Sequence, residues 1–154
     1  MNVRVRSWVF LACIVIFSTI IDYNTPFAAT ERKKPPKVQS TNFKGETENK
    51  FKTDESVYIE GGNFKPSTNM DVYVTNNRKW VKGDQLSDVS TDGIKTVQTT
   101  SSGNIPKTMV WGAPIVEGKY DIVVDANQDG TFNDGDAVDG KSTDPGFKVK
   151  RFSP

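Results

Sequence analysis

Histidine is absent from the chain and cysteine occurs once, at Cys13. Long apolar runs are also scarce. The only one is Trp8 to Ile21, interrupted by Ser18 and Thr19, about 14 residues where a helical bilayer span needs roughly 20. The run follows Arg4 and Arg6 and precedes the small residues of Pro26-Phe27-Ala28-Ala29, the layout of a secretory signal peptide over residues 1–29, helical in its apolar part and cleaved after Ala29. Phe10-Leu11-Ala12-Cys13 has the outline of a lipoprotein cleavage box, but cutting there would leave the apolar Ile14 to Phe17 on the mature end. With Cys13 removed, the mature chain has neither thiol nor imidazole. Disulfides, zinc held by either group, and Cys or His catalysis are then excluded. A small exported domain without disulfides needs another staple, and a bound cation is one.

An excess of either charge is missing too. The full chain carries 20 basic and 19 acidic residues, and loss of Arg4, Arg6 and Asp22 with the signal leaves 18 of each. Nothing in that balance calls for nucleic acid as a partner. The distribution is uneven, with Arg32, Lys33, Lys34 and Lys37 near the mature start and Asp121, Asp125, Asp129, Asp134, Asp136, Asp139 and Asp144 crowded later. An acidic cluster inside a neutral chain calls for a local cation.

Helical periodicity is absent outside the signal, and two-residue alternation takes its place. Residues 30–50, with Pro35-Pro36 and scattered Lys and Glu, are expected to form a flexible tether, in which Val38 to Phe43 can add a first edge strand. From residue 51 to 154 the chain is expected to be one domain. Ser56 to Glu60 places Val57 and Ile59 on one face, and Met70 to Thr75 places Met70, Val72 and Val74 on one face. Ile94 to Thr99, Thr108 to Trp111, Gly118 to Val124, and Gly146 to Lys150 complete a set of about seven short strands, the last with Phe147 and Val149 inward. Trp80 to Ser90 is a polar excursion. The fold class expected is all-β, an antiparallel sandwich. Tyr58 and Tyr73 alternate with the inward residues, so they either pair across strands on the outer face or form an exposed strip that, with Trp80, contacts a glycan or protein. Trp111 is expected in the core.

Asp125 to Asp136, DANQDGTFNDGD, is the most specific stretch. Counting Asp125 as position 1, Asn127, Asp129, Asn133 and Asp136 fall at positions 3, 5, 9 and 12, Gly130 occupies the turn at 6, and Thr131 offers its carbonyl at 7. These are the offsets at which a calcium loop supplies oxygen ligands. Asp134 and Asp139 are reserve ligands. The alternative is a plain hairpin turning at Asp129-Gly130 with the other acids solvated, but such a turn does not require three further oxygen-bearing residues in register.

The loop resembles those of EF-hands and, more closely, of bacterial dockerins, in which Asp closes position 12. It departs from them at Phe132, where position 8 is usually Ile, Leu or Val, and at Ala137-Val138-Asp139-Gly140, where a helix would follow; no second copy occurs. The order Ser56 to Gly61, Phe64-Lys65-Pro66, Asp71 to Val74 and Gly118 to Asp125 resembles immunoglobulin-like modules of exported bacterial and archaeal proteins, with Gly118-Lys119-Tyr120 similar to their tyrosine corner. What the resemblance implies is a secreted, periplasmic or cell-surface module with no stable membrane span after signal cleavage, whose partner beyond calcium is another surface protein or a glycan. The function expected is a calcium-binding Ig-like module with a structural or adhesive role. A carbohydrate-binding accessory module using exposed aromatics is the alternative, and a small secreted enzyme the third. Without His or Cys, and without a GxSxG elbow, catalysis has little to work with.

Overall fold

The computed structural model describes residues 33–151. The signal segment 1–29 with its expected helix, Cys13 and the cleavage position after Ala29 lie outside the described residues. The described chain is all-β and has no helix: β1 (Lys37–Thr41), β2 (Lys50–Lys52), β3 (Val57–Gly62), β4 (Asn69–Asn76), β5 (Lys95–Gln98), β6 (Ile105–Trp111), β7 (Gly118–Asp125), β8 (Ala137–Lys141), β9 (Asp144–Pro145) and β10 (Phe147–Lys150).

These strands form two sheets. The smaller has the order β1-β3-β6. The larger runs β2-β10-β7-β4-β5, with β8 added to β7 and β9 to β8. All pairings are antiparallel except that of β10 with β2, which is parallel. β7 is the spine of the larger sheet. One of its edges pairs with β4 from Tyr120 to Asp125, and the other is shared between β10, at Gly118 to Tyr120, and β8, at Ile122 to Val124.

Alternation decides which residues face the core. Val57 and Ile59 of β3, Met70, Val72 and Val74 of β4, Ile122 and Val124 of β7, and Phe147 and Val149 of β10 are all buried in one hydrophobic cluster shared by the two sheets. Its large members touch in series. Trp111 of the smaller sheet meets Tyr120 edge-on at 5.0 Å between ring centroids, Tyr120 packs on Phe147 at 5.4 Å, and Phe147 on Phe51 at 5.6 Å. The Tyr120 hydroxyl donates back to the Val116 carbonyl at 3.1 Å, which satisfies a polar group at the core margin. A polar link also crosses between sheets: the Ser40 N–H of β1 donates to Asp139 Oδ2 of β8 at 2.6 Å, and Ser40 Oγ donates to the Gly146 carbonyl at 3.2 Å.

Among the described residues the strands number ten, where about seven were expected. The additional β2, β8 and β9 are short segments (KFK, AVDGK and DP) with too little alternation to announce a strand. Within residues 30–50, where a first edge strand at Val38 to Phe43 was allowed, β1 occupies Lys37–Thr41; all five of its residues pair with β3, and Val38 enters the core. The outer face of the larger sheet is not free either. Tyr73, Val123, Asp121 and Asp125 point away from the shared core yet are buried, because the segment between β4 and β5 folds back over that edge and face. Val89 N–H donates to the Val74 carbonyl at 2.8 Å, Asp88 accepts the Val74 N–H at 2.7 Å, and the Trp80 indole N–H reaches Asp121 at 3.0 Å.

Because Trp111 is fully buried between the sheets, Trp111→Ala should lower the unfolding free energy by about 3–5 kcal/mol in urea denaturation. Tyr120→Phe keeps the ring and loses only the hydroxyl contact, so a cost of about 1 kcal/mol is expected; equal losses for the two variants would contradict this division of roles.

Candidate metal centre

β7 ends at Asp125, fully buried, and β8 resumes at Ala137, so the acidic stretch is the connection between two neighbouring strands. The two ends of the connection are tied by carboxylates. Asp125 Oδ1 accepts the Gln128 N–H at 2.7 Å and Oδ2 the Gly130 N–H at 2.8 Å. Asp136 Oδ1 accepts the Ala126 N–H at 2.8 Å and Oδ2 the Asn133 N–H at 2.6 Å. Asp129 lies between them, taking the Thr131 N–H on Oδ1 and the side-chain amides of Asn127 and Asn133 on Oδ2, each at 2.8 Å. Gly130 sits at φ +74°, a left-handed conformation that L side chains rarely adopt, which is why a glycine occupies the turn.

The segment 83–86 fixes the middle of the loop. Phe132 N–H donates to the Asp84 carbonyl at 2.8 Å, Gly83 N–H to the Phe132 carbonyl at 2.9 Å and Leu86 N–H to the Gly130 carbonyl at 2.9 Å, with Gln85 and Thr131 opposite each other. In an antiparallel ladder successive residues turn their N–H and C=O to opposite sides. Thr131 therefore directs its backbone back into the loop, where its N–H meets Asp129 and its carbonyl accepts the Asn133 amide at 2.9 Å. Phe132, in place of an aliphatic residue, packs on Trp80 at 5.8 Å between centroids, and the Arg78 guanidinium covers the same indole at 4.9 Å.

All six residues singled out by spacing (Asp125, Asn127, Asp129, Thr131, Asn133 and Asp136) thus belong to one hydrogen-bonded loop. Asp134 instead pairs with Lys82 on the surface, and Asp139 turns away to Ser40. Among the described residues no three Asp, Glu, His or Cys side chains converge as a metal-binding group. The residue types supply carboxylates, side-chain amides and a backbone carbonyl, whose oxygens suit a hard cation, although Asn127 and Asn133 here turn their N–H groups to Asp129 and would have to present their oxygens to an ion. An ionised carboxylate has about four lone-pair directions, and Asp125 and Asp136 each use two of them for N–H donors.

Charge is unbalanced here. The ion pairs among the described residues join Arg78 to Asp84, Lys82 to Asp134 and Lys95 to Asp92, and none reaches Asp125, Asp129 or Asp136. Burial pushes the Asp136 carboxyl above its ordinary value, the Ala126 and Asn133 N–H groups pull it back, and the charges of Asp125 and Asp129 raise it. Slight desolvation raises exposed Asp129, but donors from Asn127, Thr131 and Asn133 together hold it below the ordinary range. Tyr73 is raised by burial and then by the negative charges of Asp125, Asp71, Asp88 and Asp129 around it.

Two further acids lie outside the six loop positions: Asp121, fully buried, and Asp139, half-buried and expected only as a reserve ligand. Asp121 accepts the Arg78 N–H at 3.1 Å, the Trp80 indole N–H and the Gly146 N–H at 3.2 Å; burial pushes it up and these donors partly offset the rise. Asp139 is raised first by burial, lowered by Ser40, and raised again by Asp121 and Asp144. Alternation along β7 puts Asp121 on the face opposite the core, and its burial there depends on the covering segment. Neither a protein-family model, nor a curated protein, nor a solved structure matches the chain.

A carboxyl raised in the fold binds its proton more tightly there than in the unfolded chain. Its stabilising contribution is full below the ordinary Asp value of 3.8 and is lost as pH rises through the folded value. With EGTA present, the stability of the wild type relative to Asp139→Asn should therefore increase from pH 7 toward pH 4 in urea denaturation. A difference that falls on acidification would contradict the raised carboxyl.

Proposed function

We propose that the chain is an exported, calcium-binding immunoglobulin-like module with a structural or adhesive role, in which the ion orders the Asp125 to Asp136 connection. The observation that carries this reading is the turning of Thr131. The carbonyls of its neighbours Gly130 and Phe132 accept from Leu86 and Gly83, while its own carbonyl turns into the loop and accepts the Asn133 amide, in a loop whose carboxylates Asp125, Asp129 and Asp136 join no ion pair among the described residues. Like charges held on one short loop repel, and a divalent cation relieves that repulsion while taking oxygen ligands. Asp125, Asn127, Asp129, Thr131, Asn133 and Asp136 are the residues to hold it.

Support for the immunoglobulin-like part comes from the two sheets around one core and from the Tyr120 hydroxyl, which returns to the backbone of the preceding turn as in a tyrosine corner. A structural role is favoured over glycan capture by the aromatics expected to serve the latter. Tyr73 is only 6% exposed, and the Trp80 indole is occupied by Arg78, Phe132 and Asp121.

Thermal unfolding in calcium and then in EGTA tests the reading, with a higher melting temperature expected in calcium and a dissociation constant of about 10⁻⁴ to 10⁻³ M, the range of extracellular modules. Asp125→Ala and Asp136→Ala should abolish uptake in titration calorimetry. Because Asp125 is buried and supports the fold, Asn127→Ala serves beside it: Asn127 is exposed and its side chain bonds only to exposed Asp129 among the described residues, so the variant should weaken uptake with little change in the melting temperature in EGTA. Identical melting and no heat of binding in the wild type would end the proposal.

A further inference from the structure

A cleft of about 420 Å³ opens beside the loop, within the size of small-molecule sites. One side is built from the start of the described chain, Lys33 to Pro36, and from Lys65 after β3. The other is built from the loop, including Asn127, Asp134 and Asp136, with Ala126 between. The charges on the two sides differ in how they are spent. Asp134 is paired with Lys82, and both oxygens of Asp136 accept backbone N–H groups. The ammonium groups of Lys33, Lys34 and Lys65 join none of the ion pairs or side-chain hydrogen bonds among the described residues. Three lysines that join no ion pair among the described residues thus line a cleft whose remaining lining includes Pro35 and Pro36.

We propose that this cleft binds a small carboxylate, held by Lys34 and Lys65 with its carbon body against the prolines and Ala126. A singly charged carboxylate suits the place better than a doubly charged phosphate, since Asp136 lies on the opposite side and repels the second charge more. The existence of the site does not depend on calcium, but its strength does, and that part rests on the function proposed above. An ion in the loop cancels the negative charge on that side, so a bound anion and the ion should favour each other, and linkage requires each to strengthen the other by the same factor.

The test is an amide-shift titration of the labelled protein with sodium galacturonate, sodium hexanoate or inorganic phosphate, each in calcium and in EGTA, with calcium uptake measured separately by calorimetry. Saturable shifts at Lys34, Lys65 and Ala126 are expected with a carboxylate, lost in a Lys34→Gln/Lys65→Gln double variant and kept in Lys119→Gln, whose lysine is exposed and does not line the cleft. Comparing galacturonate with hexanoate identifies whether a sugar acid or an aliphatic acid supplies the carboxylate. Affinity should be about fivefold or more higher in calcium, with an equal gain in calcium affinity at saturating carboxylate. A protein that takes up calcium but binds neither carboxylate overturns the cleft site and leaves the calcium reading standing. Lysine-dependent carboxylate binding by a protein that takes up no calcium supports the cleft and ends the calcium reading. Binding that survives the double variant, or phosphate binding more tightly than either carboxylate, overturns the proposal.

Discussion

Removing a carboxylate from water costs several kcal/mol unless hydrogen bonds replace the lost solvent, and β7 does this twice on one face, at Asp121 and Asp125. Much of the architecture at that face supplies the replacements. Asp125 receives two N–H groups from the residues just after it, which curls the chain into the loop. Asp121 receives donors from the segment after β4 and from Gly146, which fastens that segment over the larger sheet. Neither acid joins an ion pair among the described residues, and the Arg78 group that Asp121 accepts is a backbone N–H, so their solvation is by dipoles rather than by opposite charge.

The loop and the covering segment are consequently one unit rather than two surface excursions. Residues 83–86 pair with 130–132, Phe132 lies on Trp80, and Trp80 holds Asp121. Ordering one orders the other. The carboxylates of Asp125, Asp129 and Asp136 belong to the loop part of this unit, where hydrogen bonds shape the chain but no ion pair cancels the charge. Shape and excess charge together are the basis on which a divalent cation is proposed there. The same excess, faced by lysines across the adjoining cleft, is the basis for an anion site beside it.

The two parts of the molecule differed in how openly they were written in the chain. The β-rich class and the inward faces of β3, β4 and β10 were legible, because two-residue alternation of Val, Ile and Met is a local signal that packing then respects. The six loop residues were legible for a different reason: their types recur at fixed offsets within twelve residues, and a short connection between adjacent strands cannot separate them. Short edge pieces such as β2 and β9 gave no such signal. The burial of Tyr73 and Asp121 had no local signal either, since alternation specifies which face a residue takes but not what later covers that face.

By itself, then, the sequence determined the β-rich class, the core-facing positions of the longer strands and the composition of the acidic loop, all properties set by neighbours within a few residues. Only the tertiary structure decided that residues 77–94 lie over the larger sheet, that Thr131 turns inward and that Asp139 leaves the loop for Ser40. Each of those depends on a partner some 40 to 100 positions away, as the separations of 41 and 99 for Trp80–Asp121 and Ser40–Asp139 show. Hydrogen-bond demand from buried acids, which no local pattern encodes, selected those partners.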